Sequence, residues 1–378
     1  MAAACVRGVS LRASRLLSTQ LHRVVGLQTS STGTPRQLTR KHLGGWAKVP
    51  WRGRRCVWAG AAFSLLLLAS DEDAQVKEDE MILLLKKAKL SILRGQLEEA
   101  STFLHAAVAM AHHSNNHQAI VYAYSQMANL AYIQGQMDHA EKLFKAAMSF
   151  MLAGGMPQDD NAFIEMSLKL ATMYAEQNKA ELAEHGFTFC LDTLEVKVQQ
   201  LQETPEADRT GETSLLVTVT KIDGMCEDEQ EVLRKDTRLL LGLCLDSRAR
   251  YRASKLHLKQ AVADYEKALS ICRQEQGESH PQTVVLMSDL ATILDMQGRH
   301  DDALALIRQA VDLGRSSEHS ELHVLVGNMA GILLHTGQLD EAVRFYGEAL
   351  RLAQQAGDQN AVGHIKEGLS QVKKRKDE

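Results

Sequence analysis

One pattern of residue sizes constrains this chain more than any other feature, and it recurs after residue 80. A small residue is followed by a large one, then Gly, then Ala, then a large apolar residue, then another small one, at steps of three, four, five, four and three. "LATILDMQGRHDDALALIRQAV" carries it as Ala291, Leu294, Gly298, Ala303, Ile307 and Ala310. "MAGILLHTGQLDEAVRFYGEAL" has Ala330, Leu333, Gly337, Ala342, Tyr346 and Ala349. "MANLAYIQGQMDHAEKLFKAAM" has Ala128, Ala131, Gly135, Ala140, Phe144 and Ala147. "KAKLSILRGQLEEASTFLHAAV" has Ala88, Ser91, Gly95, Ala100, Leu104 and Ala107. In a degenerate copy, Ala171, Tyr174, Asn178, Ala183, Phe187 and Cys190 stand in the same places. Gly, or next best Asn, turns the chain out of one helix through the left-handed region. Small residues let two antiparallel helices cross closely, and the large residues fill the holes beside them.

A sixth copy reads as a longer version, with Gly242 on its first helix, Ala261, Tyr265 and Ala268 on its second, and about seven extra residues, two helical turns, between. Spacings run from 39 (Gly298 to Gly337) to 43 (Gly135 to Asn178). The recurring Gly at turn spacing argues against a plain antiparallel bundle. The pattern matches the tetratricopeptide-repeat signature, and "SHPQTVVLMSDLA", with His280 and Pro281, is similar to the long-helix repeats of kinesin light chains. The resemblance implies an all-α, right-handed solenoid of about six helical hairpins, with repeats in 80–195 and 231–358. A closing helix over 359–374, within a capping segment 359–378, ends it with the polar "EGLSQVKKRKDE". Such a stack presents a concave groove to a peptide or helix.

Composition agrees with helix on helix packing: aromatic content is 5%, and only five prolines interrupt the chain. Cys190 to Ala268 is 78 residues, nearly two repeats, and the excess falls in 196–230. There "SLLVTVTKID", with Leu215, Val217, Val219 and Ile222, suits an extended conformation better than a helix. It reads either as a loop or as an arm that docks into a partner.

Residues 1–70 hold 11 Lys or Arg and no Asp or Glu, which leaves −15 of the net −4 on the remainder. An acidic body repels a phosphate backbone, which excludes nucleic acid as the expected partner. The basic, Ser-rich start forms a cationic amphipathic helix, and residues 1–55 read as a mitochondrial targeting segment. Residues 56–70 are uncharged, bounded by Arg54 and Arg55 before and Asp71 to Asp73 after. As a helix they reach about 22 Å, short against about 30 Å of hydrocarbon, but flanking Arg and Trp can extend them. They are read as one marginal membrane span, with 71–79 an acidic linker. The charge asymmetry places the body in the intermembrane space.

No phosphate-binding glycine loop, nucleophile elbow or HExxH helix is present, and no two cysteines have CxxC spacing. Catalytic, cofactor-binding and metal residues are therefore expected to be none, with no small-molecule substrate. Cys190, Cys244 and Cys272 fall at core positions, and His112, His113, His117, His319 and His323 lack a ligand set. Chaperone-tail clamps of this family need Asn two residues before the first small residue. Those places hold Lys86, Gln126, Lys169, Asp289 and Asn328, and only Asn328 fits.

The full combination resembles a mitochondrial inner-membrane branch of the family, most strongly over 231–350. That resemblance implies a scaffold binding respiratory complex III, the cytochrome bc1 complex, and supporting its assembly and maintenance around the Rieske iron–sulfur subunit. A soluble adaptor in membrane scission, or an import or chaperone cofactor, stands as the alternative.

Overall fold

The computed structural model describes residues 72–203 and 227–377, and no strand occurs among the described residues. Six hairpins follow one another: α1 (Glu72–Leu93) with α2 (Leu97–His113), α3 (His117–Ile133) with α4 (Met137–Ala153), α5 (Asn161–Glu176) with α6 (Ala180–Glu203), α7 (Glu227–Ser254) with α8 (Leu258–Gln276), α9 (Pro281–Met296) with α10 (His300–Ser316), and α11 (Leu322–His335) with α12 (Leu339–Ala356). A last helix, α13 (Gln359–Asp377), packs against α11 and α12. The described residues form two compact units, one ending at Leu240 and the other beginning at Leu241.

The hairpin turns are uniform. Each has three residues, and the middle one is left-handed: Gly95, Gly135, Asn178, Leu256, Gly298 and Gly337. At the second turn the Gln136 amide donates to the Ala131 carbonyl at 2.9 Å, and that of Gly135 to Tyr132 at 3.0 Å. These paired bonds satisfy the last carbonyls of α3. The described links that follow each hairpin vary instead, from two residues (357–358, leading to α13) to seven (154–160). There polar side chains start the next helix: Asn116 accepts from the Ala119 amide at 3.0 Å, and Asp160 from Ala162 at 2.8 Å.

The size pattern becomes the core of each unit. Every alanine of the pattern is at most 3% exposed, and Leu104, Phe144, Phe187, Tyr265, Ile307 and Tyr346 are buried beside them. Burying one such large side chain stabilises by roughly 1.5–3 kcal/mol. Gly186 shows how close the crossings are: a Cβ there would lie 2.7 Å from that of Ala171.

Four expectations need correction or limits. The sixth copy of the pattern contains no inserted turns. Its turn residue is Leu256, and seven residues earlier stands Ala249, fully buried, in the crossing place assigned to Gly242. Gly242 lies two turns further back, against Ile271 of α8. Arg252 takes the large position, so Leu for Gly and Arg for a large apolar residue hid the copy. Second, the acidic stretch 71–79 is helical from Glu72, as the start of α1. Third, helices take both ends of the expected insertion 196–230, because α6 runs to Glu203 and α7 starts at Glu227. Leu215, Val217, Val219 and Ile222, the targeting segment and residues 56–70 lie outside the described residues. No described helix is long and apolar enough to cross a membrane. Fourth, the closing helix runs to Asp377 rather than 374.

Candidate functional site

Among the described residues, no group of three His, Cys, Asp or Glu could hold a metal ion. The chemistry of the chain lies instead where one first helix stacks on the next. The position four residues after the small residue of one first helix meets the position five after it on the following one. Ile92 on α1 and Ile133 on α3 fill this slot with hydrocarbon, in one core cluster. In the next, the Tyr132 hydroxyl donates to Glu176 Oε1 at 2.5 Å. In the second unit the slot holds Asp295 and His335, with Nδ1 to Oδ2 at 2.5 Å. Asp295 is bonded a second time, by His300 Nδ1 at 2.7 Å. Burial pushes the Glu176 carboxyl up, against the lowering effect of the tyrosine hydrogen bond. Burial, with the Glu176 charge added, also raises the Tyr132 phenol.

The second unit concentrates buried charge on α7. Asp264 of α8, nearly inaccessible, accepts from Arg248 Nε and Nη2 at 3.0 and 2.7 Å and from Arg252 Nη1 at 2.6 Å. Arg250 donates to Asp246 Oδ1 at 2.6 Å and stands 3.7 Å from Asp289 of α9. Burial opposes its charge, but Asp246 and Asp289 outweigh it and raise its pKa. These contacts tie α7 to both α8 and α9. The spacing of Asp246 and Arg250 by four on one helix was the available sequence signal.

The first unit has a more exposed counterpart. Glu141 on α4 accepts from Lys145 at 2.7 Å and from the Tyr174 hydroxyl at 2.9 Å, with Lys179 at 3.4 Å. The Lys145 hydrogen bond lowers its pKa, partly opposed by burial.

The clamp positions stay apart in role. Lys86 is exposed and Gln126 half-buried. Lys169 pairs with Glu165 at 3.1 Å, and Asp289 faces Arg250. Asn328 donates to Ser288 Oγ at 3.0 Å, so its amide serves the α9–α11 contact. Of the histidines, His112 Nε2 meets the Tyr124 hydroxyl at 3.3 Å beside Phe150, His113 and His117 are exposed, and His319 and His323 are buried. Cys190, Cys244 and Cys272 are buried thiols outside any disulfide. Exposed apolar side chains in the first unit include Leu83 and Leu90 on α1 and Leu182 and Val196 on α6.

The tetratricopeptide repeat family matches residues 251–316 and again 325–359. A Danio rerio protein, "Tetratricopeptide repeat protein 19, mitochondrial", is 56% identical over 262 residues, which are 69% of this chain and 60% of that protein. The Rattus norvegicus protein of the same name is 45% identical over 333 residues, 86% of each chain. Among solved structures, the apo form of RapI is similar in fold at a TM-score of 0.57 and 11% identity, covering 85% of this chain and 79% of that one.

Proposed function

Because the chain belongs to the family of tetratricopeptide repeat protein 19, mitochondrial, we propose that it is a non-catalytic scaffold of the mitochondrial inner membrane that binds respiratory complex III. The family makes it a mitochondrial protein-interaction adaptor of helical hairpins. In the finer reading it supports assembly and maintenance of the cytochrome bc1 complex around the Rieske subunit. Residues 56–70 anchor it and the body faces the intermembrane space, a reading supported by the charge asymmetry of the flanks. The repeat residues from Ala88 to Ala349 serve packing, and the partner is met by other surfaces, with Leu215, Val217, Val219 and Ile222 as a docking arm.

The observation that carries this reading is the 45% identity held over 86% of both chains. Affinity purification of the tagged full-length protein from mitochondria in mild detergent tests it. Enrichment of cytochrome bc1 subunits well above other respiratory complexes is expected. Recovery of chaperones or scission proteins without bc1 subunits would overturn it. Deleting residues 205–224 should weaken that recovery strongly, and unchanged recovery removes the arm.

A further inference from the structure

The links between hairpins hold a feature the scaffold role does not use. In the first unit, helix starts are capped by groups that remain acceptors in mild acid, Asn116 for α3 and Asp160 for α5. In the second unit the corresponding places, 39 residues apart, hold two imidazoles, His280 and His319, and then the carboxylate of Asp358. His280 Nδ1 accepts from the Gln282 amide at 3.2 Å, at the start of α9. His319 Nδ1 accepts from the Glu321 amide at 3.1 Å, in the turn that leads into α11. An imidazole accepts only while that nitrogen is unprotonated, and in imidazolium both ring nitrogens are donors. We propose that this is a pH-sensitive device: acidification uncaps α9, releases the turn that leads into α11, and loosens the second unit while leaving the caps of the first intact.

His319 is buried, and its Nε2 faces the Pro281 carbonyl at 3.4 Å. The neutral ring with its proton on Nε2 therefore satisfies both contacts and joins the turn before α11 to the start of α9. Protonation removes the acceptor and places a positive charge at the positive end of a helix. The unfolded chain then binds more protons than the fold, so these bonds contribute fully above the ordinary imidazole pKa of about 6.5 and are lost progressively as pH falls below it.

Charged neighbours act on the same range. Arg273 and Glu278, 3.1 Å apart, precede α9, and Glu318 and Glu321 flank His319. His323 meets Asp358 Oδ2 at 3.2 Å in the next link, and Asp295 holds His300 and His335 at the far ends of the helices. These His–Asp contacts are the same in wild type and in the variant used below, so the device is read by difference.

Thermal unfolding of the full chain at about pH 7.5 and about pH 5.5, either side of the imidazole range, tests the proposal. The comparison is wild type against His280→Asn/His319→Asn, in which the amide oxygen keeps the cap at both pH values. Wild type is expected to lose about 4–8 °C more than the variant on acidification, the effect of two caps. An equal loss overturns the proposal. Should the variant fail to fold, long-range proton–nitrogen NMR of wild type at the higher pH decides. Both rings are expected as Nε2–H tautomers, and Nδ1–H would overturn it.

Discussion

The two units are built on one size pattern and differ in what they place around it. The first fills its stacking slots with Ile92 and Ile133 or a single Tyr132–Glu176 bond, and starts its helices on Asn116 and Asp160. The second buries Asp246, Arg250 and Asp264, doubles the hydrogen bonds on Asp295, and sets His280 at the start of α9 and His319 in the turn before α11. The alanines specify that helices cross. The groups at neighbouring positions decide how each unit answers acid, salt and substitution.

The sharpest way to break this contrast is to remove one charge. Arg250→Ala leaves Asp246 buried and uncompensated, which should destabilise the second unit by about 3–5 kcal/mol. Phe144→Ala should cost the first unit a similar 3–5 kcal/mol or so by leaving a cavity. Urea unfolding followed by hydrogen exchange separates the units, and Arg250→Ala should leave protection of α3 and α4 unchanged. Equal loss in both would show that the units do not respond separately.

Gly186→Ala comes next, at roughly 1–3 kcal/mol, because its methyl group meets backbone-fixed Ala171 with no rotamer to escape through. Its effect should appear in α5 and α6 and be absent from the second unit.

Tyr132→Phe should cost about 1–3 kcal/mol by leaving the half-buried Glu176 carboxylate without its donor. Glu176 carries a raised pKa in the fold. Between its unfolded and folded values the folded chain holds the extra proton, so this group's contribution falls as pH rises through that window. Glu176→Gln should flatten the dependence above about pH 4.5, the opposite slope to the imidazole caps. Thermal midpoints across pH 4–7 or so check both signs.

The smallest effect is a gain. Leu256→Gly should stabilise the second unit by roughly 0.5–1 kcal/mol, since Leu256 holds a left-handed conformation that Gly adopts freely. A loss would mean that the Leu256 side chain contributes more by packing than its backbone costs.

The fold was readable because Ala, Gly and large residues at fixed steps have one structural use. The same reading failed at residues 242–256, where Leu256 and Arg252 occupy the turn and large positions and the turn is nonetheless made. Neighbouring contacts enforced a conformation that local propensity disfavours. The stacking pairs were invisible for another reason. Tyr132 and Glu176 are 44 residues apart, and Asp295 and His335 are 40 apart, so only a repeat-aligned comparison brings them together. Pro281 marks His280 as opening a helix, but its role as an acceptor, like that of His319, does not show in sequence, because imidazole is an uncommon cap.

The uniform three-residue turns and the variable links have an engineering consequence. A residue added at a turn such as Gln134–Gln136 would rotate everything after it by about 100° and misplace the crossing alanines. A residue added at Pro157 or Gln158 lengthens a strap that already differs from every other described link. Fluorophores, tags or whole domains should therefore graft into the straps and fail in the turns.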